Sequence, residues 1–167
     1  MTETTKNTAL SIQISTPAKA GRKKLQQFHD LVLWGEQVNA NFLMKRINNC
    51  ELLAFGWMES DLAGIAALKN PAAHHKAEVF GEAGKPEEAM QYAYELGYAV
   101  TSENYQHQGI CKQLIVALLD AYAGAWCYAT TKNDYMRTLL SQLGFEKLGN
   151  SYQNTEQETL DLYIFNK

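Results

Sequence analysis

The chain has 167 residues, of which 46% are hydrophobic and 20% are charged, and its formal net charge is −3 at pH 7. This size and composition predict one globular domain over residues 1–167, with a substantial core. The slightly acidic balance argues against a surface built for nucleic acid or for an anionic membrane. No apolar run has the length of a membrane span, and the first residues lack a signal-peptide pattern, so we expect a cytoplasmic protein.

The cysteines and the paired histidines form no metal-binding pattern. Cys50, Cys111 and Cys127 are widely spaced and odd in number, which favours free thiols in a reducing compartment. The adjacent side chains of His74 and His75 point in different directions, and no carboxylate cluster surrounds them in the sequence. We therefore expect no bound metal and a solvated histidine pair.

The first third of the chain predicts a strand followed by two helices. Apolar and polar residues alternate over 10–15, which is a strand pattern. Thr16-Pro17 then provides an N-cap and a first helical residue, and this helix is expected to run to about Trp34. Gly35 is expected to end it in a left-handed cap. A second helix is predicted over 36–49.

The next segments predict a β-hairpin, a short helical segment and a connection to the central strand. Two apolar runs, 51–58 and 62–68, are separated by the polar residues 59–61, which indicates a β-hairpin. The segment 72–84 is ambiguous, and its first part is predicted to be helical. The polar, proline-containing segment 85–90 leads into the next strand.

The segment 95–119 predicts a strand, a polar turn and a helix that begins at Gly109. Leu96, Tyr98 and Val100 alternate with smaller residues, and the apolar positions after Gly109 follow helical spacing. Such a corner places unpaired backbone N–H groups at the positive end of the helix dipole, where anions and above all phosphate bind. Strand–turn–helix units are also common in α/β proteins without any ligand, so this chemistry alone leaves both interpretations open.

The last third predicts a buried strand, a helix and two further strands. The run 125–131 is apolar, which predicts a parallel neighbour of the strand that starts at Glu95. Asn133 is expected to cap a helix with apolar residues at helical spacing, and Gly144-Phe145 to end it. Strands are predicted over 145–148 and 159–165.

Two short motifs resemble those of one enzyme superfamily. The segment Gln106–Cys111, written QHQGIC, resembles the Q/R-x-x-G-x-G/A signature of the GCN5-related N-acetyltransferases (GNAT), with cysteine in place of the last Gly or Ala. The segment Asn133–Phe145 resembles the N-x-x-A-x-x-L-Y-x-x-L-G-F segment of the same family. The predicted order of elements, β-α-α-β-β-(α)-β-α-β-α-β-β, matches the family along essentially the whole chain.

The resemblance implies an α/β GNAT fold, with a mixed central sheet of about six to seven strands flanked by about four helices. It also implies a direct transfer of an acetyl group from acetyl-CoA to a primary amine. The oxyanion donor would be a backbone N–H near Val100, where the family's strand bulges. The residues implied in acetyl-CoA binding are Val100, Gln106, His107, Gln108, Gly109, Ile110, Cys111, Lys112 and Asn133.

Glu95 is the predicted general base. It begins an otherwise apolar strand, where burial would raise its pKa and suit it to proton removal near neutral pH. The resemblance implies the same role, because histone-type members of the superfamily use a strand glutamate in this way. The alternative interpretation is an ordinary strand-end carboxylate that faces solvent.

One departure from the family concerns the leaving thiolate. Leu140 stands where many members have a tyrosine that protonates the CoA thiolate. Either the thiolate leaves unassisted or another residue donates, with Tyr152 as a candidate. A nucleophilic cysteine acting with His107 is disfavoured because no third, orienting group is evident. Two roles are open for Asn133: its N-cap role explains it without a ligand, and the resemblance implies that it also bonds to the pantetheine arm.

The sequence leaves the amine acceptor open, from small amines to protein lysines. We expect the first two helices, the 70s segment and the last hairpin to form its pocket, with Trp34, Phe42, Tyr152 and Tyr163 available and Glu36 as an acidic attractant. A homodimer is also left open. The rival hypotheses are a non-catalytic acetyl-CoA-binding module and an interaction protein with the same fold. An O-acyl or longer-acyl transferase is a variant of the enzyme hypothesis.

Overall fold

The computed structural model describes residues 9–35, 39–122, 124 and 126–166. The strands are β1 (Leu10–Ser15), β2 (Leu52–Met58), β3 (Asp61–Lys69), β4 (Tyr94–Thr101), β5 (Trp126–Thr131), β6 (Glu146–Lys147), β7 (Tyr152–Gln153) and β8 (Thr159–Asn166). The α-helices are α1 (Pro17–Ala20), α2 (Arg22–Gly35), α3 (Leu43–Asn48), α4 (Ala73–Glu82), α5 (Ile110–Ala121) and α6 (Asp134–Gln142). Short 3-10 helices cover Pro86–Gln91 and Glu103–Tyr105.

The strands of the described residues form one mixed sheet in the order β1-β2-β3-β4-β5-β8-β6, and β7 pairs with β8. Neighbouring strands are antiparallel except for β4 and β5, which run parallel. The predicted parallel neighbour of the central strand is thus confirmed. Only Tyr94 and Glu95 of β4 pair with β5, at Cys127 and Tyr128, so the two strands part beyond this point.

Helices cover both faces of the sheet, which confirms the predicted mixed α/β fold. Helices α5 and α6 pack on one face, where Leu114, Ile115 and Leu118 of α5 are fully buried. Helices α1, α2 and α3 pack on the other face around Phe28 and Val32, and α4 covers the rest of that face. Burial of each such side chain contributes about 1.5–3 kcal/mol to folding. None of the described helices is long and apolar enough to span a membrane.

The first predicted helix is in fact two helices. Gly21, with a φ of +87°, separates α1 from α2, and Thr16 makes no side-chain cap bond. Gly35 does not adopt the predicted left-handed conformation but is the last residue of α2. Its lack of a side chain has another cause, because a Cβ atom there would lie 2.2 Å from Cγ1 of Val100. The division of this helix adds one α-helix, and α4, which the predicted order gave only in parentheses, adds another, so the described residues contain six α-helices instead of about four.

The second predicted helix is shorter than its sequence pattern suggests. Residues 36–38, where it was expected to begin, lie outside the described residues. Residues 39–42 are not helical, and α3 begins only at Leu43, after Phe42 at a φ of +61°. A left-handed residue cannot continue a right-handed helix, which accounts for the late start.

The remaining elements follow the predictions with modest changes at their ends. The hairpin is confirmed, with Met58 paired to Asp61 across a two-residue loop. The helical prediction after residue 72 is confirmed and extends to Glu82. The strand predicted over 145–148 is reduced to two residues, and β7 was not predicted, because such short strands carry too few residues to show a pattern.

Candidate functional site

Strand β4 carries a bulge at the centre of the molecule. Gly97 and Val100 pair with β3 residues that are only two positions apart, so Tyr98 and Ala99 together lie opposite a single residue of β3. Tyr98 has a φ of +51°, which is uncommon for a residue other than glycine. The register therefore shifts by one residue in the middle of β4.

The bulge changes which face of the sheet the side chains of β4 occupy. Leu96 packs beneath α5, whereas Tyr98 and Val100 pack beneath α2 on the opposite face. The simple alternation predicted for these three residues is therefore wrong, since period-two alternation holds only without a bulge.

The hydrogen-bond pattern shows which backbone groups of β4 face β5. The N–H of Ser102 donates to the carbonyl of Ala63 at 2.8 Å. Because donors of an antiparallel strand alternate in direction, the N–H of Val100 also points toward β3, while those of Ala99 and Thr101 point away from it. The expected oxyanion donor, a backbone N–H near Val100, therefore falls in this register on Ala99 or Thr101, the neighbours of Val100.

The divergence of β4 and β5 opens a gap with a volume of about 680 Å³. Leu96, Gly97 and Ala99 line one side, and residues 129–131 of β5 line the other. Leu140 of α6 forms part of the wall, so the wall carries an isobutyl group where the family pattern has a phenol. Tyr152, the other candidate donor, is half-buried in a cluster on the α4 side of the sheet.

A second cavity, of about 330 Å³, lies at the start of α5 and continues the gap, since Ala99, Asn133 and Met136 line both. Thr101, Tyr105 and Tyr135 also line this cavity, together with five residues of the predicted phosphate loop. These five residues are Gln106, His107, Gly109, Ile110 and Cys111. The loop and the gap therefore form one continuous cleft, which we call the β4–α5 cleft.

The start of α5 has the features of an anion site. Gly109 is the N-cap residue at a φ of +76°, makes no side-chain cap bond, and has open space where a Cβ would be. The first N–H groups of this 12-residue helix are therefore left for water or a ligand. His107 also has a positive φ, of +64°, which helps the loop to turn.

The other predicted binding residues take several positions. Gln106 donates through its side chain to the carbonyl of Thr101 at 3.4 Å, and Ile110 is buried in the core. Gln108 and Lys112 are exposed at the same turn but do not line the cavity among the described residues. Asn133 caps α6 as predicted, because its Oδ1 accepts from the N–H of Met136 at 3.2 Å.

The three cysteines are free and sit in apolar surroundings. Burial raises the pKa of Cys111 to about 11 and those of Cys50 and Cys127 to about 12. All three are therefore protonated thiols near neutral pH, which gives no support to a nucleophilic cysteine. No cluster of three or more potential metal ligands occurs within the described ranges.

Glu95 lies at the point where β4 and β5 part, and it is 6% exposed. Tyr128 donates its hydroxyl to Oε2 of Glu95 at 3.1 Å, and Nε2 of His75 lies 3.4 Å from the same oxygen. Nζ of Lys69 lies 3.8 Å from Oε1. The alternative of a solvent-facing carboxylate is therefore wrong. Both histidines of the predicted solvated pair are exposed, and His75 in addition contacts Glu95.

The charge state of Glu95 also differs from the prediction. Burial raises its pKa, but the hydrogen bond from His75, the charge of Lys69 and the hydroxyl of Tyr128 together outweigh burial and lower it. The hydrogen bond to Glu95 in turn raises the pKa of His75, against the effect of burial. Glu95 is thus ionised at neutral pH, and the predicted rise of its pKa is wrong.

A third cavity, of about 510 Å³, opens beside Glu95 on the face covered by α2 and α4, and we call it the Glu95 cavity. Its lining residues are Arg46, Asn49, Lys69, Asn70, Pro71, Ala72, His74, His75, Glu95 and Tyr98. Nζ of Lys69 lies 4.5 Å from the centroid of the Tyr98 ring, a cation–π distance. The side chain of Lys69 crosses Gly97, where a Cβ would lie 2.6 Å from its Cδ.

The aromatic residues expected around the acceptor do not line the Glu95 cavity. Trp34 and Phe42 are exposed, and Tyr163 is buried in the core beneath α5. Glu36 lies outside the described residues. Lys69 and Tyr128 were not predicted as partners of Glu95. The signal in the sequence was that each is a charged or hydroxyl-bearing residue within or directly after an apolar predicted strand.

Comparisons with known proteins bear on the fold. No protein-family model matches the sequence. A search of the curated proteins finds no significant match. Solved structures, however, are similar over nearly the whole chain. An acyl-CoA N-acyltransferase from Pseudomonas aeruginosa has a TM-score of 0.66 at 14% identity, with 93% of this chain and 99% of that chain covered.

Two further structures give the same result. ElaA from Escherichia coli has a TM-score of 0.65 at 12% identity, with 92% of this chain and 99% of that chain covered. A GNAT-family acetyltransferase from Streptococcus agalactiae has a TM-score of 0.66 at 15% identity, covering 93% of this chain and 95% of that chain. The chain therefore has the GNAT acyl-CoA N-acyltransferase fold that its sequence motifs predicted.

Proposed function

We propose that this chain is an acetyl-CoA-dependent N-acetyltransferase that moves an acetyl group directly to a primary amine. The observation that carries the proposal is the β4–α5 cleft, in which outward-facing strand amides and an uncapped helix start line one continuous channel. The GNAT fold supports an acyltransferase in general, and the geometry of the cleft supports a CoA thioester as the donor.

The residues of the β4–α5 cleft fit the chemistry of acetyl-CoA. The N–H groups at the start of α5 suit a pyrophosphate, and Gly109 leaves room for its approach. Lys112 and His107 lie at the same turn and add donors beside it. The outward amide of Thr101 suits the amide groups of the pantetheine arm, as a strand partner does, which leaves the outward N–H of Ala99 for the acyl group. The Asn133 side chain lines both parts of the cleft.

The backbone at the bulge provides the oxyanion donor. The bulge turns Ala99 into the gap, so its N–H is fixed in direction before any ligand arrives. A donor fixed in this way stabilises developing negative charge without a cost of reorganisation. Acetyl-CoA, when bound, supplies an acyl carbon whose bond to sulfur breaks as the new carbon–nitrogen bond forms, with the electron pair leaving on sulfur.

Glu95 and His75 attract the acceptor ammonium group and provide a route for its proton to solvent. The ionised carboxylate of Glu95 attracts an ammonium group, and His75 connects it to the exterior because its side chain is 48% exposed. Since the pKa of Glu95 is lowered, it is a weak base, and proton removal proceeds through His75 or water to solvent. Much of the rate then comes from holding the two substrates together.

The leaving thiolate receives no proton from position 140, because leucine has no acidic group. A thiolate is a moderately good leaving group, with a conjugate acid pKa of about 8.5, so it can depart unassisted. The same observation supports a second candidate function, a non-catalytic acetyl-CoA-binding module, which would keep the cleft without needing a donor.

An acceptor screen distinguishes the enzyme from the binding module. Release of the CoA thiol is measured with acetyl-CoA and a panel of small primary amines, beside a Glu95→Gln variant that keeps the size of the side chain. If the chain is an enzyme, at least one amine should be acetylated, and the rate should be much lower in Glu95→Gln. Stabilisation by acetyl-CoA without turnover of any amine or lysine peptide would instead establish the binding module.

A further inference from the structure

The Glu95 cavity carries more positive than negative charge. Arg46, Lys69, His74 and His75 contribute cationic or protonatable groups, whereas Glu95 is the acid among its described lining residues. Lys69 and His75 already lie within ion-pair distance of Glu95, so the negative charge of Glu95 is compensated at the inner end of the cavity. The cavity as a whole therefore favours an anionic group on its ligand.

The polar groups around Arg46 are arranged to receive such an anion. Arg46 donates to the backbone carbonyl of Asn39, which holds its guanidinium at the cavity wall. Asn49 donates to the carbonyl of Asn70 at 3.4 Å, which joins the two sides of the entrance. A guanidinium presents several donors in a plane and matches a carboxylate in geometry as well as in charge.

The first turn of α4 adds to the positive potential of the cavity, although most of that potential comes from Arg46 and the other cationic side chains. One wall of the cavity is formed by Pro71, Ala72, His74 and His75, and Ala72 as N-cap offers no side-chain acceptor to the helix. The positive end of the dipole of α4 therefore lies at the same wall as the cationic side chains.

The inner end of the cavity accepts an ammonium group. Nζ of Lys69 lies 4.5 Å from the centroid of the Tyr98 ring and 3.8 Å from Oε1 of Glu95. The Lys69 ammonium occupies this place, and its flexible side chain can move aside for a ligand amine, which the same ring and the same carboxylate then attract. The cavity thus combines an amine subsite with a carboxylate subsite.

We infer that the acceptor is a small amine that also carries a carboxylate, an amino acid being the simplest example. Its carboxylate binds at Arg46 and its amine points toward Glu95. This inference rests on the proposed function, because it assigns the acceptor of that transfer. The volume of about 510 Å³ lies within the range of small-molecule sites.

The test compares ligands that differ only in the carboxylate. Binding of the common L-amino acids to the intact chain is measured by calorimetry with CoA present, beside their methyl esters and their decarboxylated amines. At least one amino acid should bind about tenfold or more tightly than its ester, since a charge-assisted hydrogen bond is lost in the ester. Equal or tighter binding of the esters, or no binding of any amino acid, would overturn the inference.

A pair of variants on α3 locates the carboxylate. Arg46→Gln should remove the preference for the acid over its ester, and Arg46→Lys should keep part of it. Lys45→Gln is the matched control, because Lys45 is exposed on the same helix and does not line the cavity among the described residues. An unchanged preference in Arg46→Gln would contradict the assignment.

The failure of this inference can be told apart from failure of the proposed function. Thermal unfolding with acetyl-CoA is recorded on the same samples as the calorimetry. Stabilisation by acetyl-CoA, together with acetylation of amines that lack a carboxylate, would overturn only the assigned acceptor. The absence of any stabilisation would overturn the proposed function, and the assigned acceptor would fall with it.

Discussion

A Cβ atom at Gly35 would lie 2.2 Å from Cγ1 of Val100, so the last residue of α2 is packed directly onto the bulged strand. This contact closes the α2 side of the gap, since Gly35 also lines it. The position leaves no room for a side chain, because Val100 is buried in the closely packed core beneath α2. The close approach of α2 thus fixes the strand whose amides face the cleft.

Gly35→Ala should destabilise the fold by about 1–3 kcal/mol, because the added methyl overpacks this contact. Urea unfolding measures the change. Gly81→Ala is the control, since Gly81 lies in α4 with no atom near its Cβ position and the substitution should stabilise the protein by up to about 1 kcal/mol. Equal effects of the two substitutions would show that α2 can move away from Val100 without cost.

The pair of Glu95 and His75 predicts a pH dependence of stability. The hydrogen bond to Glu95 raises the pKa of His75 above its ordinary value of 6.5. A raised pKa in the folded state means that protonated His75 contributes stability that is fully present below about pH 6.5 and is lost as the pH rises through the folded value. The difference in free energy of unfolding between wild type and His75→Gln should therefore decrease as the pH rises from slightly acidic to alkaline values.

The measurement is the free energy of unfolding of both proteins at several pH values. His74→Gln is the control, because His74 is the neighbouring exposed histidine and is not among the described partners of Glu95. It should keep the pH dependence of wild type. A difference between wild type and His75→Gln that does not change with pH would contradict the assigned contact.

Substitutions of Asn133 separate its two roles. Asn133→Ala removes the cap of α6 and should cost about 1 kcal/mol, whereas Asn133→Asp keeps the accepting oxygen and should retain stability. If the amide nitrogen also binds acetyl-CoA, both variants should bind it more weakly, as calorimetry can measure. Normal affinity in Asn133→Asp would limit the residue to its role as a cap.

The isobutyl group of Leu140 predicts the shape of the pH–rate profile. Without a tyrosine acid at this position, kcat should rise with pH and reach a plateau, with no decrease near the ordinary tyrosine pKa of about 10. Tyr152→Phe should leave the profile unchanged. A bell-shaped profile whose alkaline limb disappears in Tyr152→Phe or Tyr135→Phe would instead identify that tyrosine as the proton donor to the thiolate.

The sequence predicted those parts of the fold that depend on local periodicity. The hairpin, α5, β5 and the cap of α6 at Asn133 each follow from residues close together in the chain. The bulge at Tyr98 could not be predicted from the alternation of β4, because it is set by pairing with β3. The divided first helix was missed for a simpler reason, since Gly21 is one residue within an otherwise helical pattern.

The candidate site likewise contains one part that could be predicted from local sequence and one part that could not. The loop around Gly109 could be recognised because its residues are contiguous. The surroundings of Glu95 could not, because Lys69, His75 and Tyr128 come from three separate elements that meet only in the folded chain. The shift in the pKa of Glu95 was accordingly predicted in the wrong direction. Burial of Glu95 was evident from the apolar strand, but the partners that compensate for burial were not.

The central claim is that the start of α5 binds the pyrophosphate of acetyl-CoA, and a pair of glycine variants tests it most directly. Gly109 and Gly21 both have a positive φ, of +76° and +87°, and both have open space at the Cβ position. Of the two, only Gly109 lines the cleft. Gly21, at a ψ of 156°, lies in a region of backbone conformation essentially restricted to glycine, whereas Gly109, at a ψ of 15°, is left-handed helical. Tryptophan is therefore strained at Gly21 at least as much as at Gly109, and strain alone cannot explain a loss of binding that is confined to Gly109→Trp.

Thermal unfolding is measured with and without acetyl-CoA for wild type, Gly109→Trp and Gly21→Trp. Acetyl-CoA well above its dissociation constant should stabilise wild type and Gly21→Trp by about 2–4 kcal/mol and Gly109→Trp not at all. Equal stabilisation of all three proteins would contradict the assigned pyrophosphate site, and no stabilisation of wild type would contradict the proposed donor.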